Sequence, residues 1–537
     1  LAEEAQVESI AVSFLWSFLN PEHEREAVRL LRETLPDMPV TCGIELRPVI
    51  REYERTTLAV LNAYAKGAYA GVDELAGSLR EQGLEAPVLL CHSGGGAISI
   101  EQAREQPVWL AASGPAAGVA AAARLATSVG ETKVLTSDLG GTSFDVAHIA
   151  SGAPARTQRG NLMGFWTALP RVDVESVGAG GGSLTWTDER GMLRVGPHSA
   201  GAMPGPVCYG RGGEQAALTD ALLVLGYIHP ARFLGGAMTL DRDAALEAFA
   251  RQGEELGLDA IETAWGVREI AVAEMVKALR ARLSSHALAA SEHCLVSYGG
   301  CGALFAAELA QLVGLTRVLI PELASVLSAF GAATMDIRRE RLSTLLLKLP
   351  ADAAAIDATF DQLRDAVWQD LAADGVPESD RLVRFEADMR FFLQRWELTI
   401  ALPDEPARGD GGAEAEMLFR EEYLRRFGAA STTTSGIVEL VGIRAVGIGK
   451  MAQVEEVHAP SEASEPRDAA PIGTRQVSLK RGMGAERVSV FDEAALAPGD
   501  RFAGPALVDS SDTTIWVPEG MTARVDSQRN LSVEAGA

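Results

Sequence analysis

Over the first 340 residues, short apolar runs ending in glycine turns alternate with stretches of helical period, which predicts an α/β architecture. The pattern gives a strand within 7–18 running into a loop, a helix over 22–34 introduced by Asn20-Pro21, a strand at 40–44 and a long helix over 57–79. A strand at 87–91 ends in the glycine turn 92–96, at the kind of strand C-terminus where open α/β sheets gather ligands. Ser113 reads as an N-cap before an early proline and a small-residue helix to about 125, suited to tight packing on a sheet or to ligand contact.

Strands follow at 133–138 and 144–150, and then the densest glycine region of the chain. Residues 195–213 hold so many glycines and prolines that regular structure is not expected, and a structured loop is. Helices are predicted over 214–226, 243–256 and 260–290. In the last, Val272, Val276, Leu279 and Leu283 share an apolar face that leaves Arg268, Lys277 and Arg280 outside. A strand at 294–298, a glycine turn, a helix at 303–313 and a strand at 318–321 complete this part. Beyond 340 the period falls to two: 385–402 reads as antiparallel strands, 403–416 as an acidic loop, 459–474 as a linker, and 475–537 as short strands between turns.

A chain of 537 residues holds several domains, and its 47% apolar and 23% charged content is that of a globular protein. The net charge of −25 repels phosphodiester backbones, so nucleic acid is not an expected partner. A nucleotide would have to be held by local amides and a metal ion. Five scattered cysteines without a C-x-x-C pair argue against a disulfide framework or zinc finger and for a reducing cytoplasm. No apolar run reaches the ~20 residues of a membrane helix. The chain opens without Met or a signal core, inside what reads as an α/β domain, so it is expected to be cut or processed at its front.

The sharpest chemistry lies at 137–146, Ser-Asp-Leu-Gly-Gly-Thr-Ser-Phe-Asp-Val. Gly140 and Gly141 let amides converge on an anion, Thr142 and Ser143 add hydroxyls, and Asp138 and Asp145 can hold a hydrated magnesium ion or orient water. No Gly-Lys-Ser/Thr follows, so this is not a Walker loop. A plain strand–turn–strand hairpin would use the same glycines, and Asp145 could equally cap a turn. Gly178, Gly180, Gly181, Gly182 and Ser183 offer a second amide cradle or a tight sheet turn. Gly299, Gly300 and Gly302 form a strand–glycine–helix pattern suited to the adenosine side of a nucleotide. His198, Cys208 and Asp220 could bind a metal, although isolated His and Cys are more often structural. Arg211, beside Tyr209, is the best cation for a substrate carboxylate or phosphate. His92 and Cys91 end a strand beside glycines, Cys91 reading as core.

The 137–146 loop looks like a phosphate loop of the actin and sugar kinase superfamily. The whole chain resembles the hydantoinase A/5-oxoprolinase family, which includes acetone carboxylase β and acetophenone carboxylase subunits. The matching stretches include 51–56, 93–95, 113–118, 138–142, 178–183, 195–197, 199–202, 204–206, 208–213, 219–220, 299–300, 327–331 and 504–506. The resemblance implies an α/β, actin/Hsp70-like (ribonuclease H-like) two-lobed core and a mainly β C-terminal domain. It places an incomplete first lobe at 1–112, a second at 113–340 and an α+β extension at 341–458, with the loops at 134–142 and 294–302 facing each other across a cleft. It implies ATP and Mg²⁺ or another divalent cation, with Asp138 as the metal-associated carboxylate. The implied activity is ATP-dependent activation of a cyclic amide carbonyl, with ketone carboxylation as the alternative and a non-catalytic structural or regulatory subunit as a second one. A hydantoinase B-like partner in a hetero-oligomer is also implied, with no membrane association. Two departures stand out. The family's opening Asp-x-Gly-Gly-Thr loop does not occur, so turnover by this chain alone is not expected. Phe144 replaces the usual threonine and leans to the carboxylase-like branch.

Overall fold

The computed structural model describes residues 7–68, 70–162, 164–428, 436–451 and 465–535. These fall into two compact units: 7–117, 156–172 and 334–451 in one, and 118–155, 173–333 and 465–535 in the other.

The first unit is built on a six-stranded sheet. Its order runs Leu398–Ala401, Arg381–Phe391, Val438–Gly449, Ile337–Lys348, Gly96–Ser99, Leu89–His92. Alternation along Arg381–Phe391 buries Phe385, Ala387, Met389 and Phe391 on one face, and the helix Ala353–Ala373 covers them with Ile356, Phe360, Leu363 and Val367. The helix Glu22–Thr34 starts where Asn20-Pro21 places it, with Asn20 Oδ1 accepting from the Glu22 amide at 3.2 Å. The long helix expected over 57–79 is two, Glu52–Ala68 and Ala70–Glu81, with residue 69 outside the described residues.

The second unit is organised by a large mixed sheet. We label four of its strands β1 (Lys133–Leu139), β2 (Phe144–Ala150), β3 (Cys294–Tyr298) and β4 (Arg317–Ile320). β1, β3 and β4 are parallel neighbours, β2 is antiparallel to β1, and Leu531–Ala535 pairs antiparallel with β4. β3 is buried at every position, as a central parallel strand must be. The C-terminal residues thus complete this sheet with Met521–Val525 and Asp500–Ala503, and form a second sheet from Gly473–Val477, Glu486–Asp492, Ala506–Asp509 and Thr514–Val517. Of the expected linker, 459–464 lies outside the described residues and Arg467–Asp468 is a strand.

Two expectations change. The start of the 195–213 segment is regular, because Leu193–Ser199 pairs with Ser183–Thr187 despite Gly196 and Pro197. Arg268, expected outside the apolar face of helix Ala260–Ser285, is 3% exposed. It pairs with Glu308 and lies over the rings of Tyr227, Trp265 and Phe305, so its charge is met by a carboxylate and by aromatic faces.

Candidate functional site

The register of the second unit's sheet brings the predicted loops together. β1 and β3 run side by side with Asp138 opposite Tyr298, so the turn 140–143 and the turn 299–301 leave adjacent strand ends. The Cys301 amide donates to Leu139 O at 3.0 Å and binds the two turns directly. They are therefore neighbours on one sheet rather than facing loops across a cleft. The 137–146 segment is a strand–turn–strand hairpin, and its turn opens onto a cavity.

Asp138 and Asp145 sit directly opposite in the hairpin register, which puts both carboxylates on one face. Ser328 donates to Asp138 at 3.3 Å and Ser143 to Asp145 at 3.2 Å. Burial, and then repulsion from Asp145, push the Asp138 carboxyl up to about 6. Burial also raises Asp145, whose Oδ1 is enclosed with no hydrogen-bond partner among the described residues. A pair of carboxylates on one face suits a hard divalent cation. Since no three His, Cys, Asp or Glu side chains converge as ligands among the described residues, such a cation would keep much of its water shell.

The amides divide into two groups. Gly140 N–H is used inside the turn, donating to Ser143 O. Those of Gly141, Thr142, Ser143 and Gly300 have no partner among the described residues. Gly181 N–H donates to Gly140 O at 2.9 Å, Gly182 N–H to Gly141 O at 2.7 Å, and Gly180 N–H to Ser183 Oγ at 2.7 Å. The 178–183 turn is thus a brace under the hairpin, and these amides are not available to an anion. Close approach explains its glycines: a Cβ on Gly180 would lie 2.6 Å from Thr142 N, and one on Gly181 2.7 Å from Cys301 Sγ. Gly178 packs against Pro197 in the same way. Gly299, at φ +84°, lies against Asp138 and gives its amide to Ala324 O, and Gly302 is buried over Ser297.

A cavity of about 210 Å³ opens beside the free amides, with Gly140, Gly141, Gly300 and Cys301 at one side. Tyr209, Ile228, Phe233, Leu234 and Leu304 form an apolar wall, Tyr209 and Phe233 with ring centroids 5.7 Å apart. The remaining wall is polar and was not found from the sequence: Arg232, Asp509, Ser510, Asp512, Thr513 and Thr514. Arg232 pairs with Asp509 at 3.1 Å, Ser325 donates to Asp512, and Thr513 Oγ1 donates to Gly300 O at 2.9 Å.

Of the remaining candidates, His198 lies exposed in Leu193–Ser199 away from the cavity lining. Cys208 is fully buried, and burial followed by the Asp220 charge pushes its thiol far up. Asp220 accepts the amides of Val207, Cys208 and Ala217 and so fixes the start of helix Leu218–Val224. His198, Cys208 and Asp220 therefore form no metal site. Arg211 is exposed, with its guanidinium 6.0 Å from the Tyr209 ring centre, outside the cavity lining.

The hydantoinase/oxoprolinase family matches residues 55–341, and the hydantoinase/oxoprolinase C-terminal domain matches residues 348–535. Caprolactamase subunit alpha of Pseudomonas jessenii is 32% identical, the match covering 99% of this chain and 77% of that one. The acetone carboxylase beta subunit of Xanthobacter autotrophicus is 29% identical over 98% of this chain and 75% of its own. The crystal structure of the ATP-dependent caprolactamase from Pseudomonas jessenii superposes with a TM-score of 0.83 at 32% identity, covering 100% of this chain and 78% of that one. The mixed α/β organisation with its β-rich C-terminal region is accordingly the actin-like ATPase fold. Among the described residues no helix is long and apolar enough to cross a membrane.

Proposed function

The chain belongs to the hydantoinase/oxoprolinase family, and from that premise we propose that it is the nucleotide-binding subunit of an ATP-dependent amidohydrolase acting on a cyclic amide. The observation that carries this reading is the unpartnered amides of Gly141 and Gly300 on an aromatic-walled cavity at two adjacent strand ends, with the Asp138–Asp145 pair behind the same hairpin turn and outside the cavity lining. A ring amide resists water because its carbonyl is resonance-stabilised. Transfer of a phosphoryl group to the carbonyl oxygen, with nucleoside diphosphate leaving, yields a carbon that water attacks with loss of phosphate.

In this reading the amides of Gly141, Thr142, Ser143 and Gly300 hold phosphate oxygens, and preorganised donors of this kind do most of the work in phosphoryl transfer. Asp138 holds a hydrated divalent cation, which when bound offsets phosphate charge. Asp145, with one unmatched oxygen, orients a water of that shell. Tyr209, Phe233 and Leu304 pack on the base, and the Ser510–Thr514 segment faces the ribose. Because the relatives are named as subunits, we place the chain in a hetero-oligomer with a hydantoinase B-like partner.

The test uses the chain assembled with its second subunit. ATP-dependent opening of ε-caprolactam, hydantoin or 5-oxoproline is expected, and Asp138→Asn should lower it by about 100-fold or more with the fold intact. ATP-dependent incorporation of labelled bicarbonate into a ketone, without ring opening, would replace this reading with the carboxylase one. Nucleotide binding with neither turnover would make the chain a regulatory subunit. Phe144, the carboxylase-like signal, is 1% exposed and lies outside the cavity lining, so it does not favour either branch.

A further inference from the structure

The cavity wall contributed by the C-terminal residues carries two carboxylates, and the fold answers them differently. Asp509 is buried and met by two guanidiniums, Arg475 at 2.6 Å and Arg232 at 3.1 Å. Asp512 is half-buried and forms no ion pair among the described residues. Hydroxyls meet it instead. Ser325 donates to Oδ2, and Ser510 and Ser511 donate to Oδ1 at 2.7 and 3.3 Å. A carboxylate offers about four acceptor positions. The three hydroxyls therefore orient the group and leave one position, on Oδ2, without a donor among the described residues.

The place of Asp512 on the cavity is set from two sides. Thr513, the next residue, donates from Oγ1 to Gly300 O at 2.9 Å. Ser325 follows Ala324, whose carbonyl accepts the Gly299 amide at 2.8 Å. Asp512 is thereby held beside the 299–300 turn, where the proposed function puts phosphate oxygens. A carboxylate without a counter-ion repels phosphate. The group it suits is uncharged and donates a proton. In a nucleotide the sugar adjoins the phosphates and offers such protons from its hydroxyls, whereas the base amine lies farther from them.

We propose that Asp512 accepts a ribose hydroxyl of the bound nucleotide and makes the site select ribonucleotides over their deoxy forms. This rests on the nucleotide reading and adds sugar selectivity to it. A hydroxyl donating to an ionised carboxylate makes a stronger hydrogen bond than one between neutral groups. An analogue without that hydroxyl also leaves the carboxylate unmatched inside the closed site, and a site built to hold a hydroxyl rejects such analogues strongly.

Calorimetric titration of the full chain, in magnesium, with ADP and with its two deoxy forms, each lacking one ribose hydroxyl, tests it. In the wild type one of the deoxy forms should bind about tenfold or more weakly than ADP, since a hydrogen bond to a charged group is lost. That difference should vanish in Asp512→Ala and shrink in Asp512→Asn, which keeps a neutral acceptor. The wild-type series stands without any variant having to fold. If both deoxy forms bind the wild type as tightly as ADP, or if the difference persists in Asp512→Ala, the assignment is overturned. Inosine diphosphate, which lacks the base amine, covers the other donor a nucleotide carries. A preference for ADP over it that Asp512→Ala abolishes, with sugar selectivity retained, would put the carboxylate on the base and overturn the ribose assignment. Failure of ADP itself to bind overturns the nucleotide reading, and the assignment with it.

Discussion

Asp138 is where the chemistry of a single residue is most exposed to measurement. Its carboxyl has a folded pKa raised to about 6 from an ordinary value near 3.8, by burial first and Asp145 second. The protonated form is therefore preferred in the folded state. The resulting stabilisation is complete below about pH 4 and is lost as pH rises through 6, leaving a buried and unmatched charge at neutral pH. Asp138→Asn should consequently stabilise the cation-free protein at pH 7.5, by roughly 1–3 kcal/mol on the usual conversion of a pKa shift. The difference should vanish near pH 4. Magnesium should stabilise the wild type more than the variant. Urea unfolding at the two pH values, with and without the ion, checks each point. Equal stability of wild type and variant at pH 7.5 would mean that Asp138 carries no unmatched charge.

At the scale of elements, the two glycine turns do different jobs, and substitution separates them. A Cβ on Gly180 would collide with backbone atoms of Gly141 and Thr142, which cannot rotate away. A Cβ on Gly141 would meet nothing within 4 Å. Gly180→Ala should therefore cost about 1–3 kcal/mol, the range for overpacking, and displace the hairpin turn. Gly141→Ala should leave the thermal midpoint nearly unchanged while weakening nucleotide binding through the cavity itself. Thermal unfolding and nucleotide titration of both variants decide the matter, and a Gly180→Ala protein as stable as wild type would remove the bracing role. Much of this region is legible in the sequence. The strand–glycine order at 133–150 and 294–302 marks both turns, because an apolar run followed by glycines is a local signature. What the 178–183 amides do is not legible, since a cradle and a brace use the same residues and differ only in which carbonyls stand nearby. Asp220 misled for a related reason: a carboxylate that fixes a helix start has the same sequence appearance as a metal ligand.

For the whole molecule, the informative feature is that the cavity is closed by a segment roughly 200 residues further along the chain than Gly300. Ser510–Thr514 left no trace in the sequence, because contacts over such separations impose no period and no fixed spacing. The sheet explains how they arrive: Leu531–Ala535 pairs with β4, which neighbours β3, so the C-terminal strands are anchored next to the glycine turn they cover. Thr513 Oγ1 to Gly300 O, at 2.9 Å, is the direct tie. Nucleotide binding should therefore protect two distant peptides together, 137–143 and 506–517, in hydrogen exchange. Ligand at about 100 times its dissociation constant adds roughly 2.7 kcal/mol to the folded state, enough to be read in both. Thr513→Val keeps the side-chain shape and removes the tie, at about 0.5–1.5 kcal/mol. In that variant, protection of 506–517 should shrink while that of 137–143 persists, with nucleotide affinity reduced a few-fold. If 506–517 exchanges at the same rate with and without nucleotide in the wild type, the C-terminal wall is no part of the binding site, and the base and ribose must lie elsewhere along the β1 and β3 strand ends.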